Sequence, residues 1–297
     1  MPAEISAEVA STPLARRSPD ASGGPSGMAG GIVRRRLLGA GARHRATSVV
    51  QYVVLPVAVV LFWEALCRAN LIRVIALPAP STVGITLWGL CASGQLFGHV
   101  GASLLRVLEG FAGAAVLGLV LGVAVGISTT FARLTDLIIQ ILRPIPPIAW
   151  IPLAILWFGI GELSKVYIIF LGAFFPIIVG VIEGIRQTDK RYVELATVLE
   201  ASPWKLVRKV VLPGALPTIV TGLRIGLGNA WVCVVAAELI AAERGVGYII
   251  VDGREMSRPD LVIAGMISIG LIGKLMDVVL KRLERVLVPW RTQYGGA

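Results

Sequence analysis

The chain has 297 residues, 56% hydrophobic and 15% charged, with a mean hydropathy of +0.80 and a net charge of +10. Soluble domains average about 45–50% apolar and about 25% charged residues, so this composition excludes an ordinary water-soluble fold and points to a polytopic membrane protein. Cys67, Cys91 and Cys233 form no C-x-x-C pair and His44 and His99 do not cluster, which gives no sign of a disulfide framework or a metal site.

Residues 1–46 are rich in Ser, Pro, Gly and Ala without apolar periodicity, and read as a disordered tail. Its end, "RRRLLGAGARHRA", resembles a twin-arginine signal superficially. Arg43, His44 and Arg45 interrupt any apolar region there, so a cytoplasmic basic anchor is the better reading. Within the domain 47–290, six apolar segments follow, at about 49–67, 104–127, 137–158, 164–184, 217–240 and 261–280. Each is long enough to cross roughly 30 Å of hydrocarbon at about 1.5 Å per residue. The expected fold is therefore an all-α bundle of about six transmembrane helices, ending in a short tail at 291–297.

Basic residues set the expected orientation. The N-terminal tail, the connections holding Arg133 and Arg186–Lys209, and the segment with Lys281, Arg282, Arg285 and Arg291 carry most of them. The opposite connections hold few, offset by Glu162, Glu243, Asp252, Glu255 and Asp260. By the positive-inside rule both termini and the stretch 186–216 are cytoplasmic. The net positive charge then reports topology and contact with anionic lipid, and no nucleic-acid partner is expected.

Inside the spans, Gly118, Gly122 and Gly126 repeat every four residues, a spacing that lets helix backbones approach and predicts close packing within the chain. The third segment carries Pro144, Pro146, Pro147 and Pro152, which must kink or interrupt it. Broken backbone in a membrane is tolerated where it is buried in protein or lines a watery cavity. Pro146, Pro147 and Trp150 are accordingly candidates for a pathway wall, against plain kinked packing. Arg106 with Glu109, and Lys274 with Asp277, stand at i, i+3 and could pair; intramembrane ionisable residues are functional candidates, but structural links between helices are the better reading. Glu64 and Glu238, near the outer ends, are expected to snorkel to the interface. Arg224, inside the fifth segment, meets either an anionic substrate or an acidic helix neighbour, and Asn229 and Trp231 lie deeper along the same segment as weaker pathway candidates.

The polar stretch "ELATVLEASPWKLVRKVVLPGALP", Glu194–Pro217, interrupts this apolar chain. After Thr188 and Asp189, possible caps, Tyr192, Leu195, Ala196 and Leu199 share one helix face. Ser202-Pro203 starts a second helix, with Leu206, Val207, Val210 and Val211 on one face and Lys205, Arg208 and Lys209 on the other; Pro213 is expected to end it. Two readings stand at this level. One is an interfacial pair with apolar faces on the bundle; the other is a docking knob for a cytoplasmic partner.

These residues resemble the permease subunits of bacterial ABC importers, which carry Glu-Ala-Ala, three residues, Gly, nine residues, then Ile-x-Leu-Pro. Glu194, Leu195 and Ala196 match the start, and Val210, Leu212 and Pro213 the end. Leu195 departs mildly, and Glu200 stands where the family has glycine. "LRPIPPIAWIPLAILWFGIGELSK", "VAAELI", "GVGYII", "GREM" and "GKLMDVVLKRLER" are similar to the branch that handles nitrate, taurine and aliphatic sulfonates. The resemblance implies a type I importer permease whose ATPase-coupling residues are Glu194, Ala196, Glu200, Ser202, Lys205, Arg208, Lys209, Leu212 and Pro213. It also implies a second permease subunit, cytoplasmic ATPases and an external substrate-binding protein. No G-x-x-x-x-G-K-[ST] phosphate loop occurs, so no cofactor is expected on this chain and ATP would be bound by the partner ATPase. A secondary transporter or channel is the competing class, but no inverted repeat or mid-span carboxylate cluster is visible. An intramembrane enzyme would need a nucleophile–base constellation, and none is present.

Overall fold

The computed structural model describes residues 54–69, 71 and 77–287. The expected tails at 1–46 and 291–297, and the start of the first expected span, lie outside them. The chain divides into two units, Met1–Val59 and Val60–Ala297. In the first, residues 54–59 are helical.

The second unit begins with helix α1, residues 60–68. It continues with α2 (Pro80–Ala92), α3 (Gln95–Ile127), α4 (Thr129–Leu142), a 3-10 turn (Pro147–Trp150) and α5 (Ile151–Phe158). Then come α6 (Glu162–Arg186), α7 (Lys190–Val198), α8 (Pro203–Leu206), a π-turn (Val207–Val211), α9 (Leu212–Ala241), α10 (Val246–Glu255) and α11 (Pro259–Leu287). Among the described residues all regular structure is helical. Four continuous helices, spanning 95–127, 162–186, 203–240 and 259–286, are long and apolar enough to cross a membrane, or five with the bent pair α4–α5. The chain is a multi-pass membrane protein.

Small residues decide how the bundle packs. Helix α6 is the hub, and α3 gives it a row of glycine hollows into which its branched side chains fit. A Cβ added at Gly110 would lie 2.7 Å from Ile169, and one at Gly122 would lie 2.7 Å from Val181. On the other flank α6 meets α9 backbone to backbone, where a Cβ on Gly180 would stand 2.8 Å from the Gly222 Cα. The four-residue glycine spacing is thus spent on packing within the chain. Val107, Ile168, Ile169, Ala173, Ile177 and Val234 fill the core between these helices.

The third segment is interrupted at its prolines, as expected, and α4 and the 147–158 helix meet at 88°. Pro144 and Pro147 have no N–H, so the carbonyls of Gln140 and Arg143 lose their i+4 donors and the helix cannot run on. Helix α3 starts at Gln95, well before the expected 104, after Gly94 in the left-handed region at φ 76. Two further helices occupy connections, α2 with Pro80 in its first turn and α10 following Gly245 at φ 140. Both are too short to register as apolar spans.

Pro213 does not end the second short helix. The Leu212 N–H donates to the Val207 carbonyl five residues back, and this wide π-turn carries the chain into α9 with Pro213 in its first turn. A proline there costs little, since the preceding turn already departs from the i, i+4 ladder. Helix α9 also takes Pro217 in stride, with the Thr221 hydroxyl donating to the Pro217 carbonyl at 2.9 Å.

Candidate functional site

Three features stand out along the α3–α6–α9 core: a two-helix projection at one end, a cavity between helices, and an ion network at the other end.

The projection is the 187–211 segment. The Asp189 carboxylate accepts from the Arg191 N–H at 2.9 Å and so caps α7. Thr188 instead reaches back, its hydroxyl donating to the Gly184 carbonyl at 3.3 Å. At the far end of α7 the Ala201 N–H donates to the Ala196 carbonyl at 3.0 Å, the six-to-one bond of a Schellman turn, with Glu200 at φ 53 in the left-handed position. The resemblance puts glycine at this place, and the backbone explains why. The turn persists with a carboxylate there, at the steric cost of a Cβ in the left-handed region. Ser202 precedes α8 with Pro203 in the first turn, as expected, but its hydroxyl caps nothing.

The apolar face of α7 is not seated on the bundle, contrary to the expectation. Tyr192, Leu195 and Leu199 are 57–72% exposed, while Ala196 alone is buried. With Lys209, Val210, Pro213 and Gly214 they line an open groove of about 560 Å³. The reason is geometric: the π-turn and the Glu200 turn hold α7 beside the start of α9 without closing over it. Glu194, Lys205, Arg208 and Lys209 are exposed around this groove, and Leu212 is half-buried.

The cavity, about 370 Å³, lies along the α6–α9 seam and under the α4–α5 break. Its α9 wall is Thr218, Thr221, Gly222, Ile225 and Asn229, one helical stripe; its α6 wall runs from Leu171 past Pro176 to Glu183. Arg143, Ile145 and Pro147 close it from the break. Of the candidate pathway residues, Pro147 and Asn229 line it. Pro146 is exposed beside it and Trp150 packs against the core. Arg224 and Trp231 lie elsewhere. The Arg224 guanidinium donates to Asp277 at 2.9 Å and pairs with Glu284 at 3.3 Å, and the Trp231 indole donates to the Ile269 carbonyl at 3.2 Å. The acidic-neighbour reading of Arg224 is the one the side chains adopt. Arg143 and Glu183 lie inside the third and fourth expected segments, and sequence reasoning passed over them because periodicity does not show which side chains border a cavity.

At the other end, Arg106 is buried and binds Glu238 at 2.8 Å, Glu162 at 2.8 Å and the Arg244 carbonyl at 2.6 Å. Lys165 adds a bond to Glu162 at 3.0 Å. Ser103 donates to Glu238 at 2.7 Å and accepts from the Val246 N–H, while the Gly247 N–H donates to Glu238 at 2.9 Å. Arg106 and Asp277 are structural links between helices, as expected, while three details differ. Arg106 pairs across helices and leaves Glu109 exposed, because i, i+3 neighbours on a lipid-facing helix give no shelter from hydrocarbon. Glu238 does not snorkel; it is 1% exposed and accepts from Ser103, Arg106 and the Gly247 N–H. Asp277 likewise bonds Arg224 and Lys281, at 2.8 Å for the latter, and Lys274 points away. Glu64 accepts from Arg68 at 2.7 Å and from the Ser81 hydroxyl at 2.9 Å, so it ties α1 to α2. Among the described residues no group of three or more His, Cys, Asp or Glu is placed to hold a metal ion.

The chain is similar in sequence and fold to known proteins. The family model described as "Binding-protein-dependent transport system inner membrane component" matches residues 114–292. A Bacillus subtilis permease protein assigned to aliphatic sulfonates transport is 41% identical over 82% of this chain and 88% of its own length. The taurine transport system permease protein of Escherichia coli is 39% identical over 77% of this chain and 85% of its own. Among solved structures, an inward-facing MetNI methionine ABC transporter is alike in fold, with a TM-score of 0.58 and 22% identity over 65% of this chain and 95% of that one.

Proposed function

The chain belongs to the family of binding-protein-dependent transport system inner membrane components, and on that premise we propose that it forms the translocation pathway of an ATP-driven importer for a small oxyanion such as an aliphatic sulfonate or taurine. The substrate class follows from the relatives named for sulfonate and taurine transport. ATP is hydrolysed on separate cytoplasmic subunits, an external binding protein delivers the solute, and a second permease subunit completes the pore. The chain lies in the inner membrane with both termini cytoplasmic, as the basic residues favour.

The observation that carries this reading is the continuity between groove and cavity. The exposed groove rests on the first turn of α9, and the same helix supplies Thr218 to Asn229 to the cavity wall. A partner that grips Leu195, Leu199 and Val210 can therefore move the wall of the pathway without touching solute. Lys205, Arg208 and Lys209 offer exposed cationic side chains to that partner, as Glu194 and Ser202 offer exposed polar ones, while Ala196 and Pro213 line the groove and Leu212 is half-buried behind it. Such transmission needs an element with two discrete positions, and α9, entered through a π-turn, is the element proposed for that role.

Reconstitution tests the reading. Proteoliposomes holding the chain with its ATPase and binding protein take up taurine or methanesulfonate only when ATP is present. Equal uptake from liposomes that lack the ATPase would establish a secondary transporter or channel instead.

A further inference from the structure

In a membrane-spanning protein a charged side chain is expected to pair with another or to face a water-filled cavity. Most ionisable groups in the α3, α6, α9 and α11 spans follow the first course, as Arg106, Glu238, Arg224 and Asp277 do. Arg143 does not. It follows α4 at the proline break, is exposed to the cavity, and among the described residues its side chain has no hydrogen-bond or ion-pair partner. It is also the one cationic side chain among the residues lining that cavity.

The surroundings show what an unpaired guanidinium is for. Asn229 lines the same cavity with its amide also unpartnered among the described residues, while the rest of the wall is glycine, proline, threonine, apolar side chains and the Glu183 carboxylate. The α9 stripe from Thr218 to Asn229 covers about 16 Å at 1.5 Å per residue, so the cavity is an elongated passage. Its volume of about 370 Å³ admits a small solute with some water. Glu183 lines it beside Gly184, level with Thr218 and well away from Asn229, and is not within ion-pair reach of Arg143. A free guanidinium, five donors in a planar fork, matches a carboxylate, sulfonate or other oxyanion better than an ammonium would. The break is what puts it there: a continuous α4–α5 helix would leave this backbone and side chain among the packed or lipid-facing residues.

We propose that Arg143 is the specificity-determining residue of the pathway, holding the oxyanion headgroup of the solute in the α6–α9 cavity, with Asn229 as an uncharged donor in the same cavity. The seat rests on the importer reading above. It assigns Arg224, the other cation considered for this task, to a structural link.

The test uses the detergent-purified permease–ATPase complex, with radiolabelled taurine and methanesulfonate as probes and no binding protein. R143Q weakens binding of both by about tenfold or more, the loss expected for a charge-assisted bond. R143K retains the charge without the fork and falls between R143Q and the wild type. R133Q, a charge change outside the cavity, binds like the wild type. Should R143Q fail to assemble with the ATPase, R143K decides, because unchanged affinity in it overturns the seat. Wild-type affinity in an assembled R143Q also overturns it, while ATP-driven uptake by the wild type leaves the importer reading standing. Absence of uptake by the wild type, with ATP and binding protein supplied, overturns both.

Discussion

Arg106 and Glu238, 132 residues apart, meet at 2.8 Å with their side chains 7% and 0% exposed. The pair joins the N-terminal part of α3 to the C-terminal part of α9, and Glu238 also fixes the Gly247 N–H at the start of α10. Gly245 and Gly247 are demanded by this contact, since a Cβ at either would collide with the Glu238 side chain. Removing Arg106 leaves the buried Glu238 carboxylate without a counter-ion, which costs about 3–5 kcal/mol, whereas removing Glu238 leaves Arg106 still bonded to Glu162 and the Arg244 carbonyl. R106A should therefore lower the unfolding midpoint in detergent strongly, and E238A less. The double change to Met at both positions should cost much less than the sum of the two, because no orphan charge remains. Additive losses in the double variant would show that the two side chains act independently.

Glu200 sits at φ 53, where a Cβ is strained and glycine is not. E200G should relieve about 1 kcal/mol locally, and E200A should gain nothing, because the strain lies in the Cβ and not in the carboxylate. Hydrogen exchange at the Ala201 amide, which closes the turn onto the Ala196 carbonyl, reads this directly. Slower exchange in E200G, unchanged in E200A, is the expected result. Slower exchange in both would place the cost in charge and not in backbone.

The sequence reading and the structure part company for physical reasons that these residues illustrate. Apolar length located the long helices, because hydrocarbon thickness is a one-dimensional constraint. Pro144, Pro146 and Pro147 announced a break, though not its angle of 88°. Pairing was not legible: Arg106 and Lys274 looked coupled to neighbours on their own helices, and only the fold reveals that Glu238 is within reach of Arg106 while Arg224 takes Asp277. The knob was legible as amphipathic helices, but the side it leaves open was not. Periodicity shows that Tyr192, Leu195 and Leu199 share a face, and says nothing about what covers that face.

Glycine contacts on the two sides of α3 and α6 make a contrasting pair of predictions. A methyl at Gly180 must enter the space of the Gly222 backbone at 2.8 Å, and backbone cannot step aside. G180A should cost about 1–3 kcal/mol by overpacking. A methyl at Gly113 would meet Phe170 at 3.6 Å, an ordinary contact, so G113A should be neutral or slightly stabilising through helix propensity. Thermal unfolding of the two purified variants separates them, and equal midpoints would argue that the α6–α9 seam has slack.

The groove beside α9 yields the prediction that bears most on coupling. Leu199 is 72% exposed and lines the groove with Leu195, Val210 and Pro213, so it contributes little to the stability of the permease alone. L199D should therefore leave insertion and the unfolding midpoint of the isolated chain within about 0.5 kcal/mol of the wild type. It should nonetheless abolish co-purification with the ATPase, because a carboxylate would be desolvated in an apolar contact. Reversing Lys205, Arg208 and Lys209 to Glu should weaken assembly in a salt-dependent way, as expected for exposed charges around an apolar centre. If L199D assembles normally and the charge reversal alone disrupts the complex, the partner reads the cationic rim and the apolar groove has no part in the grip. Loss of insertion in either variant would instead mean that the projection anchors the chain to lipid, and that its exposed leucines serve the membrane surface.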